Sequence, residues 1–268
     1  MRIAIIGGGN MGLTYAKAFI NRKIVNASNL LIVEKHDEKR TQLQQEGVAT
    51  LLSDIDSSIV SYDIVVVAVK PQDFRVMAEK LKDYLQSSQV ILSIMAGITI
   101  TQIQDLLQHK KVVRAMPNTP AQLGYGISAF TIAEGEPNDL ISTVDMLLES
   151  TGKAIFMKDE KLMDAVTALS GSGPAYFYYI VQHMIEAGVK MGVDENVAAM
   201  LVKETMNGAY QILNSSKHSI EELIAMVKSK GGTTEAALNT FADKNVGQNI
   251  QQALQNAEKR AKELSGGA

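Results

Sequence analysis

The sequence predicts an α/β fold, a doubly wound sheet at the N-terminus followed by an all-helical C-terminal domain. Three observations carry that reading. Short β-branched runs alternate with helix-period segments through the first half. A glycine-spaced turn, IGGGNMG at Ile6–Gly12, falls between the first apolar run and the first helical pattern. Beyond Asp159 every patterned segment has helical period and none reads as a strand.

The expected strands are Arg2–Ile6, Asn29–Val33, Asp63–Val69, Gln89–Ile94 and Lys111–Ala115. Runs such as IVVVAV (Ile64–Val69) are apolar without alternation, as a parallel strand covered on both faces requires. Helical patterns at Met11–Asn21, Asp37–Glu46, Asp73–Tyr84 and Thr101–Leu107 separate them. The runs Gly126–Ala133 and Ala154–Met157, bracketing a helix near Leu140–Glu149, extend the sheet. The helical half comprises Lys161–Leu169, Pro174–Met191, Glu195–Leu213, Ile220–Val227, Glu235–Ala242 and Val246–Leu264. The division is drawn at residues 1–158 for a dinucleotide domain and 159–268 for a helical domain, with SGGA at Ser265–Ala268 as a tail of low order.

Composition narrows the function. Of 268 residues, 26 are basic and 29 acidic, a net charge of −3 that argues against nucleic-acid or membrane-surface partners. With no cysteine, disulfides, Cys-ligated zinc and thiol nucleophiles are excluded. The N-terminal apolar run is too short for a signal peptide and no run approaches a membrane span, so a soluble cytoplasmic protein is expected. His36, His109, His183 and His218 are scattered, so no metal and no Ser–His–Asp triad is expected.

Gly7, Gly9 and Gly12 have the G-x-G-x-x-G spacing of a Rossmann-type dinucleotide site, with Asn10 and Met11 opening the helix beneath the pyrophosphate. Glu34 ends the second strand, where an acidic residue pairs with the ribose hydroxyls of NAD and repels the extra phosphate of NADP. Lys35, His36, Lys39 and Arg40 follow and would offset that repulsion; alternatively Glu34 caps the next helix. NADH is favoured on this reading, with NADPH open. Two further loops belong at carboxyl ends of strands. The first supplies Ala68, Val69, Lys70 and Pro71, the last also a natural helix-start proline; the second supplies Ala96 and Gly97. In RAMPNTPAQLGYG (Arg114–Gly126), Asn118 either contacts the nicotinamide carboxamide or serves turn geometry.

On the substrate side, LSGSGPAYFYYI (Leu169–Ile180) offers Ser172 as an N-cap and substrate contact, with Pro174 in the first turn. The aromatics at 176–179 cannot share one helix face; most are expected in the core, with Tyr176 nearest the loop. KSKGGTTEAAL (Lys228–Leu238) reads as a helix N-terminus suited to a carboxylate, with Thr233 or Thr234 as cap, or as a plain helix-hairpin turn. No motif contains a strong general acid, which points to a hydride acceptor that needs none.

Taken together, IGGGNMG, AVKP (Ala68–Pro71), SIMAG (Ser93–Gly97), RAMPNTPA (Arg114–Ala121), LSGSGPAY (Leu169–Tyr176) and GGTTEAAL (Gly231–Leu238) closely resemble the pyrroline-5-carboxylate reductases from end to end. The resemblance implies a Rossmann domain plus a helical dimerisation domain, in a homodimer or a ring of dimers. It implies hydride transfer from NADPH or NADH to the C=N carbon of 1-pyrroline-5-carboxylate, giving L-proline. It also implies that Gly231, Gly232 and Thr233 offer N–H groups to the substrate carboxylate, and that Thr234 offers its hydroxyl to the ring nitrogen. Lys230 stands where that family usually has proline. A β-hydroxyacid dehydrogenase would need a lysine early in the helix after Gly173, where the first is Lys190. A regulatory paralogue without catalysis would have no use for GGTTEAAL.

Overall fold

The computed structural model describes residues 1–266. Eight strands form one sheet: β1 (Ile3–Ile6), β2 (Leu30–Val33), β3 (Thr50–Leu52), β4 (Ile64–Val67), β5 (Val90–Ser93), β6 (Val112–Met116), β7 (Gly126–Ile132) and β8 (Gly152–Phe156). Between them run α1 (Asn10–Asn21), α2 (Asp37–Glu46), α3 (Pro71–Leu81), α4 (Ile100–Leu107) and α5 (Asn138–Glu149). The strand order is β3-β2-β1-β4-β5-β6-β7-β8, parallel except for the antiparallel pair β6–β7. The order reverses at β1, which lies between β2 and β4 in the registers Ile3↔Leu30 and Ile3↔Ile64. Such a switch point opens a crevice at the carboxyl ends of the strands.

The sheet is covered on both faces, which is why its central strands are uniformly apolar. Ile3, Ile5, Ile32 and Val66 pack with Tyr15 and Phe19 of α1 and Val144 and Leu147 of α5. Their neighbours Ala4, Ile6, Leu31 and Val65 pack on the other face with Phe74 and Leu81 of α3 and Ile103 of α4. The edge strand β3 has no counterpart among the expected strands, because three half-exposed residues are too few to show a period.

After β8 come α6 (Met163–Val166), a single π turn at Thr167–Gly171, and five helices: α7 (Gly173–Lys190), α8 (Glu195–Ser215), α9 (Ile220–Val227), α10 (Thr233–Asp243) and α11 (Val246–Gly266). The chain forms two compact units: Met1–Ser172 with the chain's end from Ala257, and Gly173–Asn256. This divides the chain differently from the boundary drawn at 158. Residues 160–164 belong to the first unit, where Arg114 of β6 pairs with Glu160 and Asp164. Nor is the tail of low order at its start: α11 runs to Gly266 and Ser265 is buried, while Gly267 and Ala268 lie outside the described residues.

The second unit is thinly packed. Its α7–α8 hairpin closes where a Cβ on Gly188 would come 3.0 Å from the Ala198 Cβ. Ala198 is its one buried hydrophobic residue among those described. The expectation that most of the aromatics at 176–179 enter a core is therefore corrected: Phe177, Tyr178 and Tyr179 are 62%, 65% and 64% exposed. Among the described residues no helix is long and apolar enough to cross a membrane.

Candidate active site

In the first unit, the glycine turn is built by steric necessity. Gly7 has φ +109°, and a Cβ there would come 2.8 Å from the Ala68 carbonyl oxygen. A Cβ on Gly12 would collide with the Gly7 carbonyl, so α1 meets β1 only through a glycine. At Gly9 an added Cβ would meet open space. Gly9 is also the N-cap of α1, with no side chain capping the helix and no acidic residue in its first turn. The first N–H groups of α1, around Asn10, Met11 and Gly12, are thus left for an anion.

A cavity of about 390 Å³ lies over this turn, lined by Gly7, Gly9, Glu34, Ala68, Val69 and Lys70 among others. Lys35, His36, Lys39 and Lys80 also line it, with Asp73 and Asp54, which pair with Lys35 and Lys80. Pro71 is the first residue of α3, its helix-start role, immediately after this lining. The loop with Ala96 and Gly97 follows β5, and Ile94 donates its N–H to the Val67 carbonyl at 3.0 Å, beside the end of β4. Open space at Gly9, an uncapped helix and the adjoining cavity fit a dinucleotide.

Glu34 is buried, and both carboxylate oxygens are engaged: Oε2 accepts from Gly8 N–H at 3.1 Å and Oε1 from His36 N–H at 2.9 Å. His36 is the N-cap of α2, so one oxygen braces that helix while the carboxylate still lines the cavity. The helix-bracing reading of Glu34 is thus met, and its carboxylate stands in the wall of the cavity. Arg40 is occupied elsewhere, donating to the Glu34 carbonyl and to Asp37. Beside the same cavity, the hydrogen bond and charge of Lys80 hold the Asp54 carboxyl below the usual aspartate range.

Asn118 serves the turn: its Oδ1 accepts from Ile127 N–H at 3.0 Å, just before the 3₁₀ turn Thr119–Leu123. Ser172 is not an N-cap. Its backbone is right-handed helical and its N–H bonds Thr167 O at 2.9 Å, so helix enters helix through the π turn. Two residues earlier, Ser170 Oγ is buried with no hydrogen-bond partner among the described residues, a feature that sequence reasoning missed. The SGSG motif carried the signal, but nothing in its spacing chooses between the two serines.

In the second unit, α10 starts at Thr233 with Gly232 as N-cap and no side-chain cap, so neither threonine caps the helix. Glu235 does the bracing instead. Its Oε2 accepts from Gly231 N–H at 2.8 Å, and its Oε1 is 3.6 Å from Lys228 Nζ. Gly232 N–H is bonded to Ser229 O at 3.0 Å. Both glycine donors are thus engaged, and Gly231, at φ +72°, makes the turn. The N–H groups left at the head of α10 are those of Thr233, Thr234 and Glu235, because the next, on Ala236, bonds Gly232 O. Lys230 is exposed and forms no ion pair among the described residues.

A family model described as NADP oxidoreductase coenzyme F420-dependent matches residues 2–97, and one described as pyrroline-5-carboxylate reductase dimerisation matches residues 160–264. The chain is 35% identical over 265 residues to the pyrroline-5-carboxylate reductase of Aquifex aeolicus, spanning 98% of this chain and 97% of that one. A solved pyrroline-5-carboxylate reductase from Coxiella burnetii superimposes with a TM-score of 0.89 at 30% identity, covering 98% of both chains. A Plasmodium falciparum pyrroline carboxylate reductase with NADP bound has a TM-score of 0.89 at 26% identity, covering 99% of this chain and 98% of that one. With its sheet, its glycine turn and its full length accounted for, the chain is an oxidoreductase that belongs to the pyrroline-5-carboxylate reductase family.

Proposed function

We propose that this chain reduces 1-pyrroline-5-carboxylate to L-proline, with residues 1–158 holding the dinucleotide and, within 159–268, chiefly Gly173–Asn256 serving substrate binding and dimerisation. The carrying observation is the full-length relation, 35% identical across 98% of this chain. When bound, NAD(P)H supplies the hydride. The chain's residues bind and orient. The N–H groups of Thr233, Thr234 and Glu235 receive the substrate carboxylate at the positive end of α10. The Thr234 hydroxyl, half-buried and without a partner among the described residues, hydrogen-bonds the ring nitrogen. The cyclic imine takes its proton from solvent before attack, so the C–H bond forms as the C=N π pair moves to nitrogen. No strong protein acid is needed, and positioning with electrostatics suffices.

Ser170 and Ser172 flank the same motif, and the unpartnered Ser170 hydroxyl is the better ligand contact. The cofactor is NADPH or NADH, with Glu34 leaning to NADH. The same reading includes a homodimer in the cytoplasm, where a chain without cysteine suits a reducing compartment. Oxidation of NADH and of NADPH, followed side by side with pyrroline-5-carboxylate, tests it. Turnover with the imino acid is expected; tight dinucleotide binding without turnover overturns the reaction.

A further inference from the structure

The first unit contains a buried polar cluster that neither dinucleotide chemistry nor hydride transfer accounts for. Arg114, on β6, is 3% exposed. Its Nη1 donates to Glu160 Oε1 at 3.1 Å and its Nη2 to Asp164 Oδ1 at 3.1 Å. One guanidinium faces two carboxylates, Asp164 largely buried and Glu160 partly open to solvent, so further donors can stabilise the surplus negative charge. Two are present. Ile100 N–H, at the head of α4, donates to Glu160 Oε1 at 2.8 Å. The Ser265 hydroxyl, in the last turn of α11, lies 2.8 Å from Asp164 Oδ1 and 2.9 Å from the Ala261 carbonyl, with one proton between the two. The positive end of α4 thus sits on the excess charge, and the last turn of α11 closes the other side.

These partners converge on one loop. The segment between β5 and α4 carries Ala96 and Gly97, and its exit into α4 is fixed at Ile100 by Glu160 and at Thr99 by a capping box with Gln102. Gly97 has φ +71°, and a Cβ there would come 3.1 Å from Leu264 Cβ. The residue beside Ser265 therefore lies against the loop itself. We infer that the last turn of α11, through Leu264 and Ser265, and the Arg114–Glu160–Asp164 cluster are positioning residues that hold the Ala96–Gly97 loop, which follows β5 beside the end of β4 but outside the cavity lining, in the shape that dinucleotide binding needs. The last turn of α11 is then part of the cofactor site's scaffold. This rests on the dinucleotide half of the proposed function and not on the imino-acid half.

Binding of NADH and NADPH by calorimetry, without imino acid, tests it, together with hydrogen exchange of residues 94–100. The variants are Glu160→Ala, Glu160→Gln, and Leu264→Ala combined with Ser265→Ala. Glu160→Ala and the double variant are expected to weaken binding about tenfold and speed exchange in that segment. Glu160→Gln, which keeps an oxygen for Ile100, recovers most of both. In turnover, KM for the dinucleotide rises while kcat and KM for the imino acid stay near wild type. Dissociation constants within about twofold of wild type at temperatures well below the unfolding transition overturn the inference. So does a loss of binding that only tracks the unfolded fraction. Normal dinucleotide binding in wild type without imino-acid turnover would instead refute the reaction and leave this inference standing.

Discussion

At the scale of single residues, what a side chain already bonds decides what it has left to offer a ligand. Glu34 is fixed by two N–H groups, yet both leave its charge in the cavity wall. A 2′-phosphate there meets a like charge in a partly desolvated place, only partly offset by Lys35 and Lys39. Glu34→Ser should therefore shift kcat/KM toward NADPH by roughly tenfold or more, read from paired kinetics. A wild-type enzyme already preferring NADPH would remove Glu34 as the selector. Thr234→Ala should lower kcat/KM for the imino acid about tenfold while the dinucleotide dissociation constant holds, because one hydrogen bond to a charged nitrogen is lost. Unchanged kinetics would end that role. Tyr15 gives a pH test of the fold: burial raises its pKa, against the hydrogen bonds of Ser128 and Thr151. Its folded value lies above its unfolded one, so stability is full below the ordinary tyrosine range and falls as pH rises past about 10. Tyr15→Phe should cost about 1 kcal/mol at neutral pH and remove part of the alkaline loss, read from urea midpoints. The sequence marks Gly7, Gly12 and Glu34 by spacing alone, whereas the occupied N–H groups of Gly231 and Gly232 have no sequence signature. They depend on Glu235 folding back across four residues.

At the scale of elements, the same α1 helix separates folding from binding. Gly12 lets α1 pack against the Gly7 carbonyl, while Gly9 faces open space. Gly12→Ala should destabilise the first unit by about 2–3 kcal/mol and abolish dinucleotide binding with it. Gly9→Ala should leave the unfolding transition near wild type and still weaken binding more than about tenfold, because its methyl occupies the space of the pyrophosphate. Calorimetric unfolding beside dinucleotide titration reads both; equal effects of the two changes would refute the division of roles. The strong periods made α1, α3, α5 and the apolar strands β1, β2 and β4 legible in advance. The antiparallel turn of β7 was not legible, since strand direction follows from the short Thr119–Leu123 connection and not from the run itself. The π turn was equally hidden, because its extra residue is spread over one turn of otherwise ordinary helix.

At the scale of the whole molecule, the two units differ in how they are stabilised. The first has a hydrophobic core on each face of its sheet, whereas the second, among its described residues, buries a single hydrophobic side chain, Ala198. Met184, Met200, Leu201, Tyr210, Ile212 and Leu213 of α7 and α8 are all at least half exposed. Five helices with that much apolar surface in water do not repay the chain entropy of ordering them. The amphipathic patterns announce such faces but do not say what covers them. A second copy of the same unit is the occupant that fits a family model described as dimerisation over residues 160–264. If a second copy covers these faces, stability depends on mass action, and the apparent unfolding temperature should rise with protein concentration. Sedimentation at micromolar concentration should show a dimer or a multiple of it. Met200→Glu with Leu213→Glu sets charges into that surface; it should move the population toward monomer and lower the unfolding temperature of the helical unit. A monomeric wild type with concentration-independent cooperative unfolding would mean that the second unit is stable alone, and the self-association argument would fail.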